Sequence, residues 1–292
     1  MTNFNNIEEL IAIANEKKLP IHEIVIAKEV HDSLRSRENI IALMRANWQV
    51  MCTSIERGII SDEKSVSGLS GGDAKKLYKF YNNPRSYMGE KVLKASSYAV
   101  AISEVNALMG RIVACPTAGS CGIVPAALYS ARLEHKVADE NIVKALFTAA
   151  GIGMVIDQNA SIAGAEGGCQ AECGTAAGMA AGALVELAGG TPTDVGNAAA
   201  LAIKNLLGLA CDPVAGLVEV PCVKRNGFAT VVAMLAADMT LAGIKSVIPV
   251  DEVIDAMRRI GKALPKSLRE TSEGGLATTA TAKEIEKRIY PK

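Results

Sequence analysis

Apolar side chains recur at three- and four-residue spacing along most of the chain, the period that lines them up on one face of an α-helix. The pattern predicts helices over 6–16, 22–60, 73–82, 86–109, 138–155, 172–189, 193–208, 227–246 and 251–262. Gly58, Gly110 and Gly261 fall where helices should stop, and Asp73 and Asp251 where helices should be capped. Alternation of apolar and polar residues is scarce. Only Leu217–Val220 suggests a short strand, and Asn226-Gly227, a hairpin signal elsewhere, opens a helical run. The expected fold class is all-α.

Charge divides this pattern unevenly. From Arg111 to Cys222 the chain carries 5 basic and 10 acidic residues, out of 31 of each sign in 292 residues. That stretch contains GTAAGMAAGALVELAGG, whose small side chains let helix backbones approach closely. The expected organisation is a single helical domain, residues 1–292, with solvated helices around a buried Ala/Gly-rich centre. A net charge of zero argues against a nucleic-acid partner, which needs a basic stripe. Aromatics at 4% leave little for stacking on bases. The uncharged run Ile112–Ala131 contains Pro116, Gly119, Gly122 and Pro125, so no membrane span is expected. The N-terminus, MTNFNNIEELIAIANEKKL, has no basic-then-apolar leader and reads as an amphipathic helix. The expected compartment is the cytoplasm, where thiols stay reduced.

Four loops interrupt the helices: Ser67-Gly-Leu-Ser-Gly-Gly-Asp73, Cys115-Pro-Thr-Ala-Gly-Ser-Cys121, Gly164-Ala-Glu-Gly-Gly-Cys169, and Cys211-Asp-Pro213 with Pro221-Cys222. Six of the seven cysteines lie in or beside them, whereas Cys52 sits in a helical run as core filler. No C-x2-C pair exists, which argues against the usual zinc and ferredoxin patterns. Cys169, Cys211 and Cys222 either converge as ligands of three irons of a cubane, leaving the fourth open, or are buried structural thiols. The Gly-Leu-Ser-Gly-Gly-Asp loop is either an anion cradle at a helix start or a flexible loop ahead of a cap. Thr117-Ala118-Gly119 offers a second oxyanion site or a simple turn. Glu172 is either an outer-shell group or a first-turn carboxylate. His22, His31 and His135 read as surface residues, and no Ser/His/Asp or Cys/His set can be argued.

Four segments carry a resemblance: CPTAGSCGIVPAAL, EGGCQAECGTAAGMAAGALVELAGGTP, LGLACDPVAGLVEVPCVKRNG and LPKSLRETSEGGLATT. Together they resemble the iron–sulfur-dependent L-serine dehydratase family, most nearly the alpha chain of its two-subunit form, from about Ile21 to Thr279. The resemblance implies a helical catalytic chain that converts L-serine to pyruvate and ammonia without pyridoxal phosphate. It implies a [4Fe-4S] cluster held by Cys169, Cys211 and Cys222, with one iron open to the substrate hydroxyl. It implies substrate-carboxylate loops at Ser67–Gly72, including Ser70 and Gly71, and at Thr117, Ala118 and Gly119. It also implies a beta chain with an ACT-like regulatory module. Single-chain relatives carry that part ahead of this region, and here it is absent. Some relatives end in a cysteine that covers the open iron, whereas this chain ends Ile289-Tyr-Pro-Lys292. Cys115, Cys121 and Cys173 match no ligand position. Two rivals are a related hydro-lyase for another small hydroxy acid, and a non-enzymatic scaffold with buried thiols.

Overall fold

The most apolar run of the chain becomes its innermost helix. In the computed structural model, which describes residues 3–291, α1 spans Ile7–Lys17, α2 Ile21–Ser33, α3 Arg37–Gly58, α4 Asp73–Phe80 and α5 Glu90–Ala107. There follow α6 (Ile123–His135), α7 (Asp139–Asn159), the single turn α8 (Gly164–Gly167) and α9 (Thr175–Leu187). The last four are α10 (Pro192–Lys204), α11 (Cys222–Leu241), α12 (Val250–Ala263) and α13 (Ala280–Ile289). α9 packs against α6, α7, α10 and α11, and every residue from Thr175 to Ala183 is buried. Small residues make that possible: a Cβ at Gly182 would overlap Ile152 of α7 and crowd Val195 of α10. One main apolar core runs from Phe4 to Met257, as the low charge of the middle third implied.

Several local expectations need correction. The continuous periodicity over 22–60 is two helices. Leu34 adopts a left-handed conformation after α2, and the Ser36 side chain accepts from the Asn39 N–H to start α3. The capping serine is hidden inside an unbroken apolar rhythm. α6 escaped the pattern because Ile123 to Ser130 are all buried, so there is no polar face to reveal a period. Pro125 lies in its first turn, where a missing N–H costs nothing. α13 escaped for the opposite reason, since Ala282 is its one buried residue.

Leu217–Val220 forms no strand, and among the described residues the sole β-type pairing is an isolated bridge between Cys211 and Arg269. The segment ends in a cis Val220–Pro221 bond and leads into α11. Neither aspartate caps its own helix. Asp251 instead accepts the Ile7 and Glu8 N–H groups (both 2.9 Å), capping α1 from across the molecule. Asp73 is the first helical residue of α4 and pairs with Lys76 and Lys224. Gly261 lies within α12 rather than at its end, where a Cβ would meet Gly167 Cα at 2.8 Å. Among the described residues no helix is long and apolar enough to cross a membrane.

Candidate active site

Each of the three cysteines singled out above is fixed by a neighbour rather than by its own side chain. Cys169 precedes a π-helical turn, Gln170–Gly174, that feeds α9. Gln170, fully buried, donates from Nε2 to the Met257 carbonyl (2.9 Å) and accepts the Gly208 N–H at Oε1 (2.9 Å). Its own N–H reaches the Leu209 carbonyl at 3.0 Å, so the Cys169 turn is laced to the chain entering Cys211. Cys211 is held in turn by the C-terminal loop. Its N–H donates to Leu268 (2.9 Å), and its carbonyl accepts from Glu270 (2.7 Å).

Cys222 opens α11, and the next turn of that helix ties the loops together. Arg225 donates to the Ala210 carbonyl (2.7 Å) and to Asp212 (3.0 Å), whose other oxygen takes the Leu276 N–H (2.8 Å). Asn226 donates to the carbonyls of Gly119 (2.8 Å) and Cys222 (2.9 Å), and its oxygen accepts the Gly122 N–H (2.9 Å). The Cys222 helix and the Thr117–Gly119 turn are thereby locked to each other.

Glu172 stands where these pieces meet. Its Oε1 accepts from the Thr117 hydroxyl at 2.6 Å, and its Oε2 lies 3.7 Å from the Cys211 sulfur. A Cβ at Gly119 would come within 2.8 Å of Oε1, and one at Gly164 within 2.7 Å of Oε2 and 3.0 Å of the Cys211 sulfur. The two glycines therefore leave room for this carboxylate beside the thiols. Burial raises the Glu172 carboxyl above its ordinary range, against the pull of the Thr117 hydrogen bond.

The thiols share one electrostatic environment. Cys169, Cys211 and Cys222 are 3%, 3% and 8% exposed. Cys222 is pushed up to about 12 by burial, with Cys169 and Glu172 adding to the rise. Cys211 is raised by burial and then by Glu172 and Cys169. Cys169 alone is lowered, first by its hydrogen bond with Cys173 (3.4 Å) and then, against burial, by Arg225. Cys173 thus lies beside the set, whereas Cys115 and Cys121 are raised to about 12 by burial. Cys52 is half-buried against the core and raised to about 12 by burial, the state of an inert thiol.

Three thiols on separate loops, with an arginine nearby, suit an iron–sulfur cluster by donor chemistry. Among the described residues no three His, Cys, Asp or Glu side chains gather tightly enough for a single metal ion. A cubane asks for less crowding, because each thiolate binds a different iron. The histidines stand apart. His22 pairs with Glu186 (2.8 Å) and His31 with Asp32 (3.0 Å), and His135 ends α6.

The two glycine loops differ. In the first, the side chains of Ser65 (2.6 Å), Ser67 (2.8 Å) and Ser70 all donate to the Glu219 carboxylate. The N–H groups of Gly71 (3.1 Å), Asp73 (2.8 Å) and Ala74 (3.2 Å) donate to Glu104 of α5, and Gly72 caps α4 in a left-handed conformation. In the second, Thr117 to Ser120 form a short 3₁₀ turn with a Thr117–Ser120 capping box. Among the described residues no carbonyl accepts the Ala118 or Gly119 N–H. Sequence reasoning missed Glu219, Glu104, Arg225 and Asn226. Three of them lie in the segment LVEVPCVKRNG, quoted above only for its cysteine. Glu104 carries no local signal.

A family model described as serine dehydratase alpha chain matches residues 16–277. The chain is 51% identical over 287 residues to a Bacillus subtilis protein named "Probable L-serine dehydratase, alpha chain", covering 98% of this chain and 95% of that one. It is 42% identical over 281 residues to the "L-serine dehydratase, alpha chain" of Peptoniphilus asaccharolyticus, covering 96% of each. An "L-serine dehydratase" of Streptomyces coelicolor is 39% identical over 283 residues, which is 94% of this chain but 60% of that longer relative.

Proposed function

Because the chain belongs to the serine dehydratase alpha-chain family, we propose that it is the catalytic chain of an L-serine ammonia-lyase, turning L-serine into pyruvate and ammonia. In this proposal Cys169, Cys211 and Cys222 hold a [4Fe-4S] cluster, which would supply a Lewis-acidic open iron for the departing hydroxyl. The observation that carries it is the meeting of these thiols, Glu172 and a turn with unspent donors at one place.

The chain's own residues do the positioning. The N–H groups of Ala118 and Gly119 receive the serine carboxylate, and Asn226 holds that turn at a fixed distance from Cys222. Fixing the carboxylate aims the α-proton and hydroxyl at their partners, which is where orientation lowers a barrier most. Thr117 keeps the Glu172 carboxylate turned toward the turn. In the Ser67–Gly72 loop the hydroxyls and the Gly71 N–H are engaged by Glu219 and Glu104, which leaves the Ser67 and Gly72 N–H groups for the second carboxylate contact expected of this loop. A beta chain with an ACT-like module completes the enzyme. The alpha-chain names of the relatives support this, as does the length of the Streptomyces relative beyond the matched part.

The test is anaerobic purification followed by iron, sulfide and pyruvate assays, with L-serine, L-threonine and malate as substrates. A brown protein that forms pyruvate from L-serine with its beta chain supports the reading, and preference for malate would favour another hydro-lyase. Cys211→Ala should lose the cluster and all turnover, while Cys52→Ala keeps both. Full iron content in Cys211→Ala would sink the ligand assignment.

A further inference from the structure

We infer that Glu219, caged by serine hydroxyls, is a positioning residue that fixes Cys222 for its task. The inference rests on the ligand role proposed above for Cys222. Between Val214 and Cys222, Glu219 is the one buried residue, at 6% exposure, so a carboxylate anchors this segment where an apolar side chain would be expected. Among the described residues no Lys or Arg pairs with it. Three hydroxyls, from Ser65, Ser67 and Ser70, replace its water. A buried charge is tolerated only where such donors converge, and here all three come from one short loop, Ser65–Ser70.

The backbone of the same residue grips the helix that begins with Cys222. The Glu219 carbonyl accepts the Val223 N–H at 3.0 Å, closing the first turn of α11 around Cys222. The cage is itself anchored, because Glu104 of α5 accepts three N–H groups of the serine loop and the start of α4. Ala74, Val100, Ala101 and Val223 form a small separate core on the same side. Cys169 is held through Gln170 and Cys211 through the C-terminal loop, so this cage gives Cys222 its equivalent support. Partners that orient a ligand without touching the metal commonly set its retention, at roughly 10–100-fold per residue.

The experiment compares wild type, Glu219→Gln and the double variant Ser65→Ala/Ser70→Ala, each prepared anaerobically with iron and sulfide. Release of iron to a chelator should run roughly 10–100-fold faster in both variants. Far-UV circular dichroism should match wild type, and the metal-free proteins should still melt cooperatively, at a midpoint lowered by the lost hydrogen bonds. In the metal-free proteins, alkylation of Cys222 mapped by mass spectrometry should accelerate severalfold, while that of Cys52 should not change. If Glu219→Gln does not fold, the serine variant decides. Wild-type rates of both iron release and Cys222 alkylation would overturn the inference. So would a retained cluster with a lower KM for L-serine, which would make Glu219 a competitor of the substrate carboxylate. If wild type takes up no iron, the cluster reading fails, and the alkylation rates still judge the cage.

Discussion

The loop Ser65–Ala74 and the turn Thr117–Ser120 look alike in sequence and differ in what they hold. Both are short, rich in Gly, Ser or Thr, and placed at the start of a helical segment. The first spends its hydroxyls on Glu219 and three backbone N–H groups on Glu104, both buried carboxylates of the same chain. The second leaves the Ala118 and Gly119 N–H groups without an acceptor among the described residues, and stands beside Glu172, the thiol of Cys211 and the anchor residue Asn226. A motif thus declares the supply of donors and says nothing of who consumes them. The consumers lie about 30 and 150 residues away in the chain, at separations only the fold can close. In the function proposed above, the first loop is chiefly a structural element and the second chiefly a binding one.

The sharpest way to break that assignment is to fill the open turn. A Cβ at Gly119 would stand 2.8 Å from Glu172 Oε1 and 3.3 Å from its carboxyl carbon, too close for either to stay. Gly119→Val should therefore displace the turn or Glu172, and misdirect the two free N–H donors. Removing one such donor typically costs about 10²–10³ in rate. We expect kcat/KM for L-serine to fall by that factor while the fold, judged by circular dichroism, persists. An unaltered kcat/KM would remove this turn from the substrate's path.

The building loop should answer in stability instead. Glu104 is 2% exposed and takes three backbone N–H groups at the start of α4. Glu104→Gln keeps the shape but removes the charge and replaces one acceptor oxygen by a donor. Hydrogen bonds to a charged group are worth about 1.5–3 kcal/mol. The variant should lose about 2 kcal/mol, read as a fall in melting temperature of about 3 °C for a chain of this size. A melting temperature equal to wild type would show that the loop does not depend on its buried carboxylate.

Parts of this arrangement could be read directly from the residues. The helices over 138–155, 172–189 and 251–262 were legible because each has a polar face against which the apolar period stands out, or small residues that mark close packing. α6 was illegible because its buried half has no such contrast, and the division of 22–60 was hidden because a single cap, Ser36, interrupts no rhythm. At the site, Cys169, Cys211 and Cys222 were marked by nearby Gly and Pro and by the resemblance, and in the structure all three lie near Glu172, with Cys169 and Cys222 also near Arg225. The opposite state of the two loops was not legible. It depends on Glu219 and Glu104, whose local sequence looks like that of any half-polar segment.

The smallest effect concerns the hydroxyls of the cage, and it separates two explanations of why three are present. Ser70 is fully enclosed and Ser67 only half-buried, although both donate to Glu219. Where water can reach a carboxylate oxygen it can replace a lost hydroxyl, so Ser67→Ala should cost no more than about 0.5–1.5 kcal/mol. Ser70→Ala leaves an acceptor without a donor in a closed space, at about 1–3 kcal/mol. Urea midpoints of the two variants, at equal m-value, measure the difference. Ser67→Ala as damaging as Ser70→Ala would mean that water does not substitute at the rim. The cage would then act as a closed three-donor unit, and the contrast with the open turn would be sharper than the hydrogen bonds alone imply.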